Sequence, residues 1–136
     1  NLMLAPDRPD VIAILDWELS TLGHPLADLA YYCLPYHLPA DMPGMRGLNG
    51  EDLQELGIPS EQETIARYCA QTGRDGIDDW HVFLSFSLFR LAAILQGVYK
   101  RALDGNAANA NALEVGKRAS LLADIGWQIA CEGRKP

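Results

Sequence analysis

Two apolar runs open the chain. Leu2-Met3-Leu4-Ala5 and Val11-Ile12-Ala13-Ile14-Leu15 flank Pro6-Asp7-Arg8-Pro9-Asp10. The second run is rich in β-branched side chains and reads as a buried strand. Between them, prolines that fix φ and aspartates that cap their own backbone mark a turn. The pair predicts an antiparallel hairpin. With Ala5 opposite Val11, counting back sets Asn1 opposite Leu15, so Asn1 and Asp16 share the open end of the ribbon. A lone hairpin is not stable in water, and this one is expected to pack on helices or on a partner outside the chain.

After Asp16 the period changes. Pro25 behind Gly23-His24 opens a helix over 24–34, with Leu26, Leu29, Ala30 and Cys33 on one face and Asp28 in the first turn, where the helix dipole favours a carboxylate. Residues 35–50 carry Pro35, Pro39 and Pro43, three glycines and two methionines, and read as one long loop. From 51 to 132 the pattern is helical. A short helix over Glu51–Leu56 is stopped by Gly57 and Pro59. Ser60 and Glu63 form a capping box for a helix to about Thr72, with Gly73 as its stop. Asp78 or Asp79 caps a long helix to about Leu103 whose core face holds Phe83, Phe86, Leu91, Ile94, Leu95 and Val98. A last helix runs from about Ala108 to Cys131 and carries Leu113, Leu121, Leu122, Ile125, Trp127 and Ile129. The fold class is mainly α with a short β-hairpin.

The composition narrows the class. The chain has 136 residues, 49% of them hydrophobic and 21% charged, which suits one folded domain or one lobe of a larger one. Eighteen acidic residues against eleven basic ones give a net charge of -7. That argues against a nucleic-acid partner, which requires a basic stripe, and against a polybasic membrane patch. The apolar stretch from Val82 to Tyr99 carries Arg90, Gln96 and two serines, and is expected to be a core helix, not a membrane span. Cys33, Cys69 and Cys131 are odd in number, form no CxxC pair and follow no secretory segment, which predicts reduced, mostly buried thiols in the cytoplasm. His24, His37 and His81 lack metal-ligand spacing. The chain opens at Asn1 directly in an apolar run, with no initiator methionine, which reads as a cut inside a folded unit. Apolar surface bared by such a cut is expected to drive self-association or strand exchange.

Asp16 is the sharpest chemical feature. A carboxylate at the end of an apolar strand must be paired, hydrogen-bonded or on a metal. Asn1 and Asp16 together offer the hard oxygens that Mg²⁺ takes while it keeps waters and phosphate oxygens. The plainer alternative is an aspartate that caps the turn after the strand. An acidic strand end also occurs in P-loop NTPases, but the one Gly-Lys here, Gly116-Lys117, is followed by Arg118 and lies in a helical segment, so that reading fails.

Asn1-Leu2-Met3, Ile14-Leu15-Asp16-Trp17-Glu18 and Gly23-His24-Pro25-Leu26-Ala27-Asp28-Leu29-Ala30 together resemble the aminoglycoside phosphotransferase and choline kinase-like family. The likeness is carried by the first 30 residues or so. Phe86-Ser87-Leu88-Phe89-Arg90-Leu91-Ala92 to Gly105 is similar to the branch found fused to, or beside, acyl-CoA dehydrogenases. The resemblance implies the C-terminal lobe of a protein-kinase-like α+β fold, divided here into a metal-site hairpin (1–16), a first helix (24–34), a loop (35–50) and a helical subdomain (51–132). It implies a kinase that moves the γ-phosphoryl group of ATP, held with Mg²⁺, to the hydroxyl of a small molecule. Asn1 and Asp16 match the metal ligands. Trp17 matches the aromatic that packs this turn onto the helices. Asp28, and with it Glu18 beside the metal motif, falls in a supporting position. His24 stands where the family more often has aspartate, and reads as a local cap.

The catalytic His-Gly-Asp of the family is absent from residues 1–136, and its aspartate and the N-terminal lobe are expected upstream of Asn1. The isolated chain is therefore expected to be inactive. Two side chains further on are candidates for the acceptor pocket. Trp80 begins the long helix, and Arg90 lies within an apolar face, where a guanidinium must find a carboxylate or a ligand anion. The alternative to an enzyme is a helical interaction module in which Asp16 is only a cap.

Overall fold

The computed structural model describes residues 1–42, 45–106 and 111–133. β1 (Leu2–Leu4) and β2 (Val11–Ile14) form one antiparallel ribbon. Leu2 faces Ile14 and Met3 faces Ala13, but Leu4 faces Val11 across a bulge between Met3 and Leu4. The Leu15 N–H donates to the Asn1 carbonyl at 2.9 Å. The open end thus has the register obtained by counting, while the loop end slips by one residue, because the bulge leaves Ile12 unpaired. The expected burial does not occur. Leu2, Leu4, Val11, Ile12, Ile14 and Trp17 each keep more than half of their surface exposed, because an apolar run on both faces needs two covering layers and the helices gather elsewhere.

α1 (Pro25–Cys33) begins at His24, whose Nδ1 accepts from the Leu26 N–H at 3.3 Å. Leu26, Leu29, Ala30 and Cys33 are buried, as the spacing predicts. A 3₁₀ turn, Leu34–His37, follows. The 35–50 segment is stitched to itself: the Leu48 N–H donates to Pro35, Gly47 to Pro39 and Asn49 to Leu38. Gly47 lies so close to the Leu38 carbonyl that no side chain fits between them. Leu38 and Met42 enter the core, which loop composition did not reveal. Pro43 and Gly44 of that loop lie outside the described residues.

Glu51–Leu56 is not a helix. Residues 53–57 form consecutive turns, and the Asp52 carboxylate before them accepts from the Gln54 and Glu55 N–H groups. Gly57, at φ 66°, ends them before a helix can nucleate. α2 (Glu61–Thr72) has the predicted Ser60–Glu63 capping box and its Gly73 stop, at φ 67°.

α3 (Trp80–Leu103) is the central helix and packs on α1, α4 (Ala112–Gly116) and α5 (Ala119–Glu132). Asp79, the residue before it, has φ 53° and gives no side-chain cap. The buried face is Leu84, Ser87, Leu88, Leu91, Ala92 and Leu95. Phe86 and Ile94, assigned to the core by spacing, are exposed. α3 is apolar nearly all round, so periodicity does not select one stripe. With a mean hydropathy of 1.6 it is long and apolar enough to cross a membrane by length and composition, and one-third of that window is buried.

The single last helix is two, α4 and α5, broken at Lys117–Arg118; residues 108–110 of the expected span lie outside the described set. α5 runs antiparallel to α3 on small residues. A Cβ on Gly126 would lie 3.1 Å from the Leu88 Cβ, while Gly116 sits against Tyr99 and Gly133 against His81. Leu122 is fully buried, whereas Leu113, Leu121 and Trp127 face outward. Cys33 and Cys69 are buried and Cys131 is exposed, all three as free thiols.

Candidate functional site

The hairpin brings the amide and the acid together. The Asn1 Nδ2 donates to Asp16 Oδ2 at 3.4 Å, a long and weak bond. Asp16 occupies the left-handed region, φ 65° and ψ 47°. Aspartate tolerates this conformation better than most residues, at a cost of about 1–2 kcal/mol relative to glycine. The turn is sharp, and the 3₁₀ segment Trp17–Leu19 follows it. The left-handed kink thus reverses the chain at the one residue whose carboxylate meets the start of β1. The Ser20 N–H and hydroxyl both return to the Trp17 carbonyl and close the turn.

Trp17 is not among the side chains packed on the helical core. Its indole N–H donates to the Ile14 carbonyl at 2.6 Å and the residue is 63% exposed. The N–H finds a strand carbonyl three residues back, so the aromatic folds onto the ribbon. Glu18 and Asp28 are both exposed, Asp28 in the first turn of α1. His24 stacks on Phe83 of α3, ring centroids 5.1 Å apart, and joins the start of α1 to the helical body.

The two acceptor-pocket candidates have other partners. The half-buried Trp80 donates its indole N–H to Glu61 Oε1 at 3.1 Å, and the same oxygen lies 2.9 Å from His37 Nε2. Glu61 thereby ties α3 and the 3₁₀ turn to the start of α2, and Tyr36 adds a hydrogen bond from its hydroxyl to the Pro59 carbonyl. This polar knot was not found by sequence reasoning; its members are 24 and 43 residues apart and only the fold joins them. Arg90 is exposed and has no carboxylate partner among the described residues. Its guanidinium lies 5.9 Å from the ring centres of both Tyr31 and Phe86. The expected ion pair is replaced by two aromatic faces, which attract a cation without desolvating it.

The remaining chemistry is plain. Among the described residues no group of three or more His, Cys, Asp or Glu could hold a metal ion. A protein-bound cation at Asn1 and Asp16 would therefore complete its shell with water or ligand oxygens, which is how Mg²⁺ is held on phosphates. Burial pushes the Cys33 thiol up to about 12, with the Glu61 charge adding to the effect. A broad concavity of about 700 Å³ lies between the 53–60 segment and α2, and none of its lining residues belongs to the hairpin.

Residues 1–56 match the family described as "Phosphotransferase enzyme family". Across 130 residues, 96% of its length, the chain is 48% identical to acyl-CoA dehydrogenase family member 10 of Mus musculus. It is 41% identical over 132 residues to acyl-CoA dehydrogenase family member 11 of Rattus norvegicus and 40% identical over 131 residues to the Homo sapiens protein of that name. The chain covers 12% of the first of these relatives, 17% of the second and 16% of the third. No solved structure matches the chain.

Proposed function

We propose that this chain, a member of the phosphotransferase enzyme family through residues 1–56, supplies the divalent-cation side of an ATP-dependent small-molecule kinase. In this reading it is part of the C-terminal lobe of a protein-kinase-like fold, and the phosphoryl acceptor is an alcohol. The single observation that carries it is the 3.4 Å approach of Asn1 to Asp16. A helical interaction module in which Asp16 merely caps a turn has no need for that approach.

The donor set fits Mg²⁺. It consists of one carboxylate and one amide on exposed, water-accessible backbone, both hard oxygens once the amide turns. A rotation of the Asn1 amide replaces Nδ2 by Oδ1 and converts a donor into a ligand. When bound there, Mg²⁺ would neutralise charge on the phosphates of the nucleotide. The hairpin register holds Asn1 opposite Leu15, and the left-handed backbone aims the Asp16 carboxylate at the same point. His24 and Phe83 anchor the segment that follows. The sequence contains no His-Gly-Asp, so no group of this chain is assigned to orient or deprotonate the acceptor hydroxyl.

The test has two arms. Mn²⁺ titration of this chain, followed by water-proton relaxation, should show one site that Asp16→Asn weakens by at least about tenfold, since the variant keeps the amide geometry and loses the charge. In the full-length gene product, Asp16→Ala should lower the rate of ATP-dependent phosphorylation of an alcohol by about 100- to 1000-fold, the scale of losing one charge-stabilising group. Mn²⁺ binding that ignores both Asp16 and Asn1 would overturn the reading.

A further inference from the structure

The concavity of about 700 Å³ between the 53–60 segment and α2 is walled by a backbone that is held in place. The Leu56, Gly57 and Ile58 N–H groups donate to the Asp52, Gln54 and Leu53 carbonyls at 3.1, 3.1 and 2.9 Å. The Pro59 carbonyl accepts from the Tyr36 hydroxyl at 2.8 Å, and that hydroxyl lies 3.2 Å from Thr64 Oγ1 on α2. Ser60 and Glu63 close the junction with the capping box. Leu53, Ile58 and Pro59 line the concavity with hydrocarbon, and Gln54 and Arg67 line it with donors. Neither the Gln54 side-chain amide nor the Arg67 guanidinium has a hydrogen bond or ion pair among the described residues. A preformed hollow of small-molecule size, with an apolar lining and a few free polar groups, is the usual form of a ligand site.

We infer that this concavity binds a small monocarboxylate with a short hydrocarbon body, its carboxylate on the Arg67 guanidinium, with the Gln54 amide as a second donor and the hydrocarbon on Leu53, Ile58 and Pro59. The charge of the lining selects the headgroup. Arg67 offers a planar fork of N–H donors that matches a carboxylate at both oxygens. Among the described residues it is the only cation in the lining, and Glu63, one turn before it on α2, is the only acid. Glu63 is engaged by the cap, since the Ser60 N–H and hydroxyl both donate to its Oε2. The guanidinium is therefore the free charge, and it suits one negative charge. A phosphate would bring two, and the second would meet only the repulsion of Glu63. The apolar side chains select the body, because a wholly polar anion would leave them in water. The inference does not rest on the phosphotransferase reading, since no lining residue belongs to the hairpin.

Amide NMR titration of the chain with sodium hexanoate tests it. Saturable shifts should appear at the backbone amides of the 53–58 turns and of α2 around Arg67, and not at those of α5. Hexanamide has the same body without the charge, hexylamine has the opposite charge, and inorganic phosphate is an anion without the body. Each should bind at least about tenfold more weakly than hexanoate. Arg67→Gln should reduce hexanoate to the affinity of hexanamide, whereas Arg74→Gln, at an exposed arginine outside the lining, should change nothing. Arg67 is exposed on α2 and glutamine matches it in helix propensity, so far-UV circular dichroism and the thermal midpoint should be unchanged. Absence of saturable shifts at these amides would overturn the proposal. So would hexanoate binding that is indifferent to Arg67→Gln or equally sensitive to Arg74→Gln, or hexylamine or phosphate binding as tightly as hexanoate.

Discussion

The Asn1 amide nitrogen stands 3.4 Å from the Asp16 carboxylate across the open end of the hairpin. Fifteen residues separate the two in sequence. A two-stranded register and one left-handed residue are enough to join them. The bulge between Met3 and Leu4 shifts the pairing only on the loop side of the ribbon, so it alters the turn and leaves the meeting of amide and acid intact.

Backbone strain and carboxylate charge can be separated at Asp16. Asp16→Gly removes both, relieving about 1 kcal/mol of left-handed strain, so the hairpin end should hold or gain stability while divalent-cation affinity falls. Asp16→Asn keeps the backbone preference and loses the charge, and should leave the thermal midpoint within a degree or two while also losing the cation. Chemical denaturation and Mn²⁺ titration of the two variants side by side check this. Equal loss of stability in both would mean that the carboxylate, not the backbone, holds the turn.

Two glycines should respond to alanine with opposite signs. Gly116 faces Tyr99 with no room for a methyl group, whereas a Cβ on Gly97 would meet only the Arg101 Nη1, at 3.6 Å. Gly116→Ala should destabilise by about 1–3 kcal/mol through overpacking. Gly97→Ala, in the interior of α3, should stabilise by roughly 0.5–1 kcal/mol through helix propensity. Urea midpoints for the two variants give the signs directly.

Ser87 is fully buried on α3, and its hydroxyl has no hydrogen-bond partner among the described residues. An unmet buried hydroxyl costs about 1–3 kcal/mol. Ser87→Ala should therefore raise stability by about 1 kcal/mol, despite the small loss of volume. A drop in the urea midpoint would show that a water occupies the site and satisfies the hydroxyl.

Much of this fold was legible where the signal is local. The α1 face and the Ser60–Glu63 box with its Gly73 stop depend on spacing and end chemistry, which short windows carry. The open-end register followed from counting, because Asn1 lies on the side of the bulge that the slip does not touch. What failed depended on neighbours. Val11–Leu15 looks buried because β-branched residues cluster, yet burial needs a covering layer that no strand sequence specifies. Phe86 and Ile94 sit on the outer stripe of a helix that is apolar nearly all round. The break at Lys117–Arg118 comes with Gly116 pressed against Tyr99, a tertiary contact. Trp80 and Glu61 are 19 residues apart, and their bond exists only because α2 and α3 start at the same corner of the body. At the candidate site, the pairing of Asn1 with Asp16 could be read from the sequence, while Trp17 folding onto the ribbon and Arg90 resting on two rings could not.

Acid should loosen α2 through its capping box. The Ser60 N–H and hydroxyl both donate to Glu63 Oε2, and these bonds, the backbone one first, hold the Glu63 carboxyl below its usual range. A carboxyl depressed in the folded state adds stability that is present above its unfolded range and is lost as pH falls through the folded value. Ser60→Ala removes the cap outright and should cost about 1 kcal/mol near neutral pH. Glu63→Gln should flatten the acid limb of the stability curve, and its deficit relative to wild type should shrink as pH falls. A deficit that stays constant with pH would show that the glutamate contributes by packing alone.

The thiols should react in a fixed order. Cys131 is exposed near the end of α5, whereas Cys33 is fully buried and its thiol is held protonated up to about 12 by burial first and by the Glu61 charge second. Only the thiolate attacks a disulfide reagent, and at mildly alkaline pH Cys33 supplies almost none. Ellman's reagent on the native chain should give one fast equivalent, abolished by Cys131→Ser, and three equivalents after unfolding. Glu61→Gln should loosen the knot with His37 and Trp80, and the rate at Cys33 should rise through more frequent opening of the core around the end of α1. A rate at Cys33 that matches Cys131 in the native chain would mean that the end of α1 opens freely and that the knot does not close it.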